Sequence, residues 1–321
     1  MSLNSELAAF LELVEANVQS GNKPMMHEMT PEQARLEYDA STEVLDCPGP
    51  SMENMMNISI PCRDGQSIRA RLYQPDELKE VAEPLPVLLY FHGGGYCVGS
   101  LDSHDSLCRS IAALTPCCVL NVAYRLAPEH RFPTAVYDAQ DAYQWLLSAG
   151  SEYNLDVTRI AVGGDSAGGT LATGLTITAR DNKWPQPVFQ VLLYPCTSAW
   201  QNTESHGRFA QGYLLEALTL QWMFSNYLRD DADRVDGRFA PLEARELKDL
   251  PPALLVLAEY DPLIDEGVLY GNKLKSAGVS TLMKIYAGVT HDFARLGNII
   301  TEASQVRKDI AQVLASAFHN L

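Results

Sequence analysis

No stretch of this 321-residue chain approaches the roughly 18 consecutive apolar residues of a membrane span, so no bilayer-crossing helix is expected. Cations are scarce: 24 Lys and Arg stand against 40 Asp and Glu, a formal net charge of -16. A chain so acidic has little with which to neutralise a run of phosphates. It therefore reads against nucleic acid and anionic membranes as partners, with solubility the simpler meaning of the charge. No Cys-x-x-Cys spacing occurs among the seven cysteines, which argues against a zinc site. Their odd number, with Cys117 and Cys118 adjacent in an apolar run, reads as reduced, buried thiols. The opening residues Met1-Ser2-Leu3-Asn4-Ser5-Glu6-Leu7 lack the basic patch and apolar stretch of a secretory signal, so a cytoplasmic location is expected. No internal repeat or low-complexity tract is visible.

What is present is an ordinary globular composition, 46% hydrophobic and 20% charged, sufficient for a large core. Short apolar runs alternate with amphipathic ones, the pattern of βα units building a mostly parallel sheet. Strands are predicted at Asn57–Pro61, Ile68–Tyr73, Pro86–Phe91, Cys118–Tyr124, Ile160–Gly163, Val188–Leu193, Ala253–Ala258 and Thr281–Tyr286. Asp64-Gly65 between the first two signals a hairpin, so that pair is predicted antiparallel and the rest parallel. Helices are predicted near Ser103–Leu114, Ala135–Leu147, Ala167–Arg180, Asp265–Ala277 and Ala303–Ala317.

Two segments stand outside this alternation. Residues 1–50 carry an amphipathic helix (Leu7, Phe10, Leu11, Leu13, Val14, Val18) and a second helix from Pro31 after Thr30. Residues 198–235 are long, irregular and aromatic, with Trp200, Phe209, Tyr213, Trp222, Phe224 and Tyr227. Both are too long for simple loops. They read as a cap over the carboxyl ends of the strands, the alternative being extra helices packed on the core.

The chemistry concentrates in four places. Gly164-Asp165-Ser166-Ala167-Gly168 follows an apolar strand and opens a helix, the pattern of a nucleophile elbow. The glycines leave room for a strained serine, and the helix N-terminus beneath favours developing negative charge. His92-Gly93-Gly94-Gly95 follows another strand, where glycines let backbone N–H groups face a substrate oxyanion. Lacking Lys-Ser/Thr after the glycines, this is not a phosphate-cradling loop. Two of the Gly93–Gly95 N–H groups, joined by that of Ala167, are the candidate oxyanion donors, and His92 reads as shaping the loop. Asp261, after strand Ala253–Ala258, is the candidate acid, preferred over Glu259, with Asp265 and Glu266 opening the next helix. His291, beyond the last strand, is the candidate base, whereas His104, His130 and His206 read as structural or surface residues. The order Ser166, Asp261, His291 is that of α/β hydrolases.

Together with Tyr124-Arg125-Leu126-Ala127-Pro128-Glu129, His130-Arg131-Phe132-Pro133 and Asp261-Pro262-Leu263, these motifs make the chain from about residue 55 onward resemble the hormone-sensitive-lipase family of bacterial esterases, in particular its enterobacterial acetyl esterases. The resemblance implies an α/β-hydrolase fold: an eight-stranded, mostly parallel sheet flanked by helices over residues 51–321, capped by residues 1–50 and about 198–235. It also implies no cofactor and hydrolysis of short-acyl esters, so the expected partner is a small-molecule ester, with no metal expected from the cysteine spacing. Two positions depart from the family pattern. Ala123 replaces the frequent Asp or Asn before Tyr124, and Asp292 replaces the usual Gly after the histidine. A carboxylate at 292 would raise the pKa of His291 or compete with Asp261 for its N–H. The cap aromatics, with Tyr96 and Cys97, would narrow the acyl pocket to acetyl through about hexanoyl. An amidase or peptidase with the same triad, and a binding or regulatory protein on a hydrolase scaffold, are the competing functions. An exposed edge strand would allow a homodimer.

Overall fold

The computed structural model describes residues 2–21, 23–78 and 81–319. Its strands are β1 (Asn54–Pro61), β2 (Ser67–Gln74), β3 (Leu85–Phe91), β4 (Cys118–Ala123), β5 (Leu155–Asp165), β6 (Phe189–Leu193), β7 (Ala253–Tyr260) and β8 (Thr281–Thr290). They form one eight-stranded sheet in the order β1-β2-β4-β3-β5-β6-β7-β8. All the predicted strands occur, several of them longer than the apolar runs that signalled them. The expectation that only the first pair is antiparallel needs a correction. β2 is antiparallel to β4 as well as to β1, because the Gly65 turn (φ +83) reverses β2 against every other strand.

The helices are α1 (Ser5–Gln19), α2 (Pro31–Leu45), α3 (Asp105–Leu114), α4 (Thr134–Ala149), α5 (Ala167–Asp181), α6 (Glu204–Arg208), α7 (Ala217–Tyr227), α8 (Ile264–Ser276) and α9 (Glu302–His319). Alternation along the buried strands feeds two cores. In β3, Val87, Leu89 and Phe91 join the core containing α4, α5 and α8, while Leu88 and Tyr90 join that containing α3 and α9. Among the described residues, no helix is long and apolar enough to cross a membrane.

The N-terminal helices start where their capping residues dictate. The Asn4 side chain accepts from the Glu6 and Leu7 N–H groups, and Thr30 and Gln33 form a capping box with Pro31 in the first turn. Leu7 is fully buried, but Leu13 is exposed, so the apolar stripe of α1 is narrower than its composition implied. α2 is fixed by polar contacts. Arg35 donates to the Cys97 and Ala127 carbonyls and to Glu129, while Asp46, just beyond α2, receives both carboxylate bonds from Arg307 of α9 at 2.7 and 2.6 Å. Residues 198–235 contain α6 and α7 separated by irregular chain, and Tyr227 of α7 stacks on Tyr96 with ring centroids 3.8 Å apart.

Candidate active site

β5 turns into α5 at Ser166, whose φ of 52° lies in the left-handed region. Two backbones meet here, which explains the small flanking residues. A Cβ on Gly164 would lie 2.4 Å from the Phe91 carbonyl oxygen, and one on Gly168 would lie 1.9 Å from the same atom. Strand β3 therefore ends in direct contact with the elbow. The Ser166 N–H donates to the Leu193 carbonyl at 2.8 Å, which anchors the turn to the neighbouring strand end.

Ser166 Oγ lies 2.9 Å from His291 Nε2, and His291 Nδ1 lies 2.7 Å from Asp261 Oδ2. The other oxygen of Asp261 accepts the Leu263 N–H at 2.8 Å, so the carboxylate is held at both ends. Asp261 and His291 are almost fully buried, and the imidazole packs edge-on against Tyr194. Burial opposes a charge on His291. The charge and hydrogen bond of Asp261, helped by the charge of Asp292, outweigh it and raise the imidazole pKa above its ordinary value.

Asp292 does not compete for the His291 N–H. Its left-handed backbone (φ +65) directs the carboxylate to the buried Arg295, with Nη1 to Oδ2 at 2.7 Å. Arg295 also donates to the Ser103 carbonyl, to Thr42 Oγ1 and to the Tyr38 hydroxyl, and its guanidinium covers the Tyr38 ring. Asp292 thus acts on His291 through charge, and on α2 through Arg295. Glu259, the alternative acid, instead accepts the Gly288 N–H.

The glycine loop needs one correction. Gly93 does not offer its N–H to the cavity: that group donates to Asp165 Oδ1 at 3.1 Å. Gly94 (φ +109) and Gly95 (φ +57) line the cavity together with Ser166, Ala167 and His291. Among the described residues, the N–H groups of Gly94, Gly95 and Ala167 have no protein acceptor. Asp165 is the residue that sequence reasoning missed. It is fully buried and also accepts from Tyr90 Oη at 2.6 Å, with His104 Nε2 at 3.2 Å. Its signal was present, since a carboxylate ending an otherwise apolar strand must find buried donors. His104 is accordingly structural, and His206 is likewise buried, paired with Glu266 at 3.3 Å. His92 stacks on Tyr124 inside the loop, and burial pushes its pKa down to about 3, keeping it neutral.

The cavity above Ser166 measures about 180 Å³. Tyr38 and Leu45 of α2 and Leu220, Met223 and Phe224 of α7 contribute to its walls, so both outlying segments reach the serine. All seven cysteines are free thiols. Among the described residues, no cluster of three or more His, Cys, Asp or Glu is arranged to hold a metal ion.

A Ser-His-Asp constellation with a buried His-Asp pair on a sheet of this topology defines a hydrolase class, and comparison with known proteins agrees. The model of a family described by its alpha/beta hydrolase fold matches residues 88–295. The chain is 44% identical over 306 residues to an ethyl acetate hydrolase of Pseudomonas putida, covering 95% of this chain and 96% of that one. It is 38% identical over 224 residues to an arylesterase of Saccharolobus solfataricus, covering 70% of this chain and 72% of the other. Among solved structures, a hyperthermophilic esterase from Pyrobaculum calidifontis superposes with a TM-score of 0.90 at 36% identity, covering 98% and 99% of the two chains. An ester hydrolase from the metagenome of Lake Arreo gives 0.94 at 34% identity, covering 99% of each. The chain belongs to the α/β-hydrolase-fold family and is an enzyme of its carboxylic ester hydrolase branch.

Proposed function

We propose that this protein hydrolyses short-acyl carboxylic esters, acetyl to about hexanoyl, by two-step acyl transfer on Ser166, a specificity like that of the acetyl esterases it resembles. The observation that carries the reading is the pair of hydrogen bonds on His291, to Ser166 at 2.9 Å and to Asp261 at 2.7 Å, beside a cavity lined by three unpartnered N–H groups. His291 takes the hydroxyl proton as Ser166 Oγ bonds to the ester carbonyl carbon. Asp261 holds the imidazole and stabilises its charged form. The carbonyl oxygen gains negative charge against the N–H groups of Gly94, Gly95 and Ala167. Collapse breaks the ester C–O bond, and the alcohol leaves with the proton from His291. Water then repeats the sequence on the acyl-enzyme, releasing the acid and restoring the serine.

Residues 1–50 and about 198–235 serve in this reading as a cap that excludes water and limits acyl length, supported by their contribution to the cavity walls. A homodimer through an edge strand also belongs to the reading, since edge strand β8 exposes Leu282 and Ile285. The test is p-nitrophenyl acetate turnover by Ser166→Ala and His291→Ala, with fluorophosphonate labelling of the wild type. Loss of about 10⁴-fold or more in kcat is expected of either folded variant. Turnover near the wild-type rate in either would overturn the assignment.

A further inference from the structure

A second cavity, of about 480 Å³, adjoins the catalytic one and shares Met26, Tyr38, Ser41, Leu45 and Leu214 with it. Phe10, Val14 and Val18 form one stripe of α1 on its wall, with Met25 and Met29 from the segment between the two N-terminal helices. Thioether side chains adapt to differently shaped apolar guests. The catalytic cavity, at about 180 Å³, is smaller than the usual range for a drug-sized ligand, whereas the second falls inside it.

Chemistry decides which half of an ester faces this space. The tetrahedral intermediate has four substituents. Two are fixed, the serine oxygen at Ser166 and the oxyanion at the Gly94, Gly95 and Ala167 N–H groups. The leaving oxygen must take its proton from His291 Nε2, so the alcohol lies on the His291 side and the acyl group takes the remaining direction. On the glycine side the buried Met223 fills the space beside Gly95, its sulfur 2.0 Å from where a Cβ of that residue would lie. On the His291 side, Asp292 bonds Arg295 and Arg295 bonds Tyr38, which with Leu45 lines both the catalytic and the second cavity. Tyr38 stands at the junction, clamped by the Arg295 guanidinium 4.5 Å from its ring centroid.

We infer that the second cavity receives the alcohol half of the substrate, making the preferred substrates short-acyl esters of large apolar alcohols. This rests on the esterase reading above and names its substrate class. A polar or very short alcohol would leave the cavity unused, while each methylene buried there raises kcat/KM by up to about fourfold.

The test compares two isomers of equal overall hydrophobicity, octyl acetate and ethyl octanoate, below their solubility limits, together with the series from ethyl to octyl acetate. The wild type should favour octyl acetate by about tenfold or more in kcat/KM, with rates rising along the series. Val14→Trp, which fills the second cavity, should lower the octyl-to-ethyl acetate ratio by about tenfold. A flat wild-type series, a preference for ethyl octanoate, or an unchanged ratio in folded Val14→Trp overturns the inference. Ethyl acetate turnover by Ser166→Ala separates the two levels. If it persists, the esterase assignment itself fails; if it is abolished and the alcohol series is flat, only the alcohol-site inference fails.

Discussion

Asp165 accepts the N–H of Gly93 at 3.1 Å, so the residue preceding the nucleophile also holds the first glycine of the opposing loop. The elbow and the glycine loop come from different βα connections, and this bond ties one to the other. Removing the acceptor leaves the Tyr90 hydroxyl buried without a partner and the Gly93 N–H with only the longer contact to His104 Nε2 at 3.4 Å.

Asp165→Ala should therefore destabilise the fold by about 1–3 kcal/mol for the orphaned Tyr90 hydroxyl, read from urea denaturation. Asp165→Asn keeps an acceptor but turns an amide donor toward His104. Its expected signature is a 10-fold to 100-fold lower kcat, on the order of a small misplacement of the oxyanion loop, with KM nearly unchanged. Wild-type kcat in the asparagine variant would show that the loop does not depend on this anchor.

The pH profile follows from His291. Catalysis needs the neutral imidazole, and its pKa is raised in the fold, so the acid limb of kcat/KM should lie above the ordinary imidazole value of about 6.5. Asp292→Asn removes one of the charges that raise it and should move that limb to lower pH. An unmoved or upward-shifted limb contradicts the electrostatic role given to Asp292. The sign for stability is separate: the His291–Asp261 ion pair contributes fully below the unfolded-state pKa. That contribution is lost as pH rises through the raised folded-state value.

The glycines of the loop should differ in what an added methyl group does. At Gly94 (φ +109) it meets the Val98 carbonyl oxygen at 2.3 Å, and at Gly168 the Phe91 carbonyl oxygen at 1.9 Å; neither backbone can yield, so both alanine variants should be inactive. At Gly95 the obstacle is the flexible Met223 side chain. Gly95→Ala should lose about 10²–10³ in kcat, the size of one oxyanion donor, and adding Met223→Ala should restore part of it. Steady-state turnover of p-nitrophenyl acetate reads all four variants, and equal activity in Gly94→Ala and Gly95→Ala would contradict the ranking.

Arg295 is almost fully buried and supplies four contacts, so Arg295→Met leaves the Asp292 carboxylate without its cation. A loss of about 3–5 kcal/mol is expected from chemical denaturation. Combining it with Asp292→Asn should recover part of that loss, and strictly additive effects in this cycle would argue against a coupled pair.

Much of this architecture was legible in the chain because its signals are local. Apolar runs marked all eight strands, Asp64-Gly65 marked the hairpin, and small residues around Ser166 marked the elbow. The chain order of Ser166, Asp261 and His291 then singled out the residues that meet. What escaped notice depends on contacts between distant segments. Arg295 and Tyr38 are 257 positions apart, and Arg307 and Asp46 are 261. Nothing near Gly93 in sequence announces that its N–H is already taken, since the acceptor lies 72 residues on. The antiparallel pairing of β2 with β4 was missed for a related reason. A hairpin signal specifies its own two strands and not the neighbour that the second one meets.

The clamp between Arg295 and α2 bears on how this scaffold can be recombined. A grafted N-terminal segment without a hydroxyl at 38 or 42 would leave the guanidinium nothing there to hold. Chimeras that exchange only the first fifty residues should therefore misplace the wall nearest His291. Chimeras that take positions 38, 42, 292 and 295 from one source keep that wall and the histidine in register, so the unit of modular exchange spans both ends of the chain.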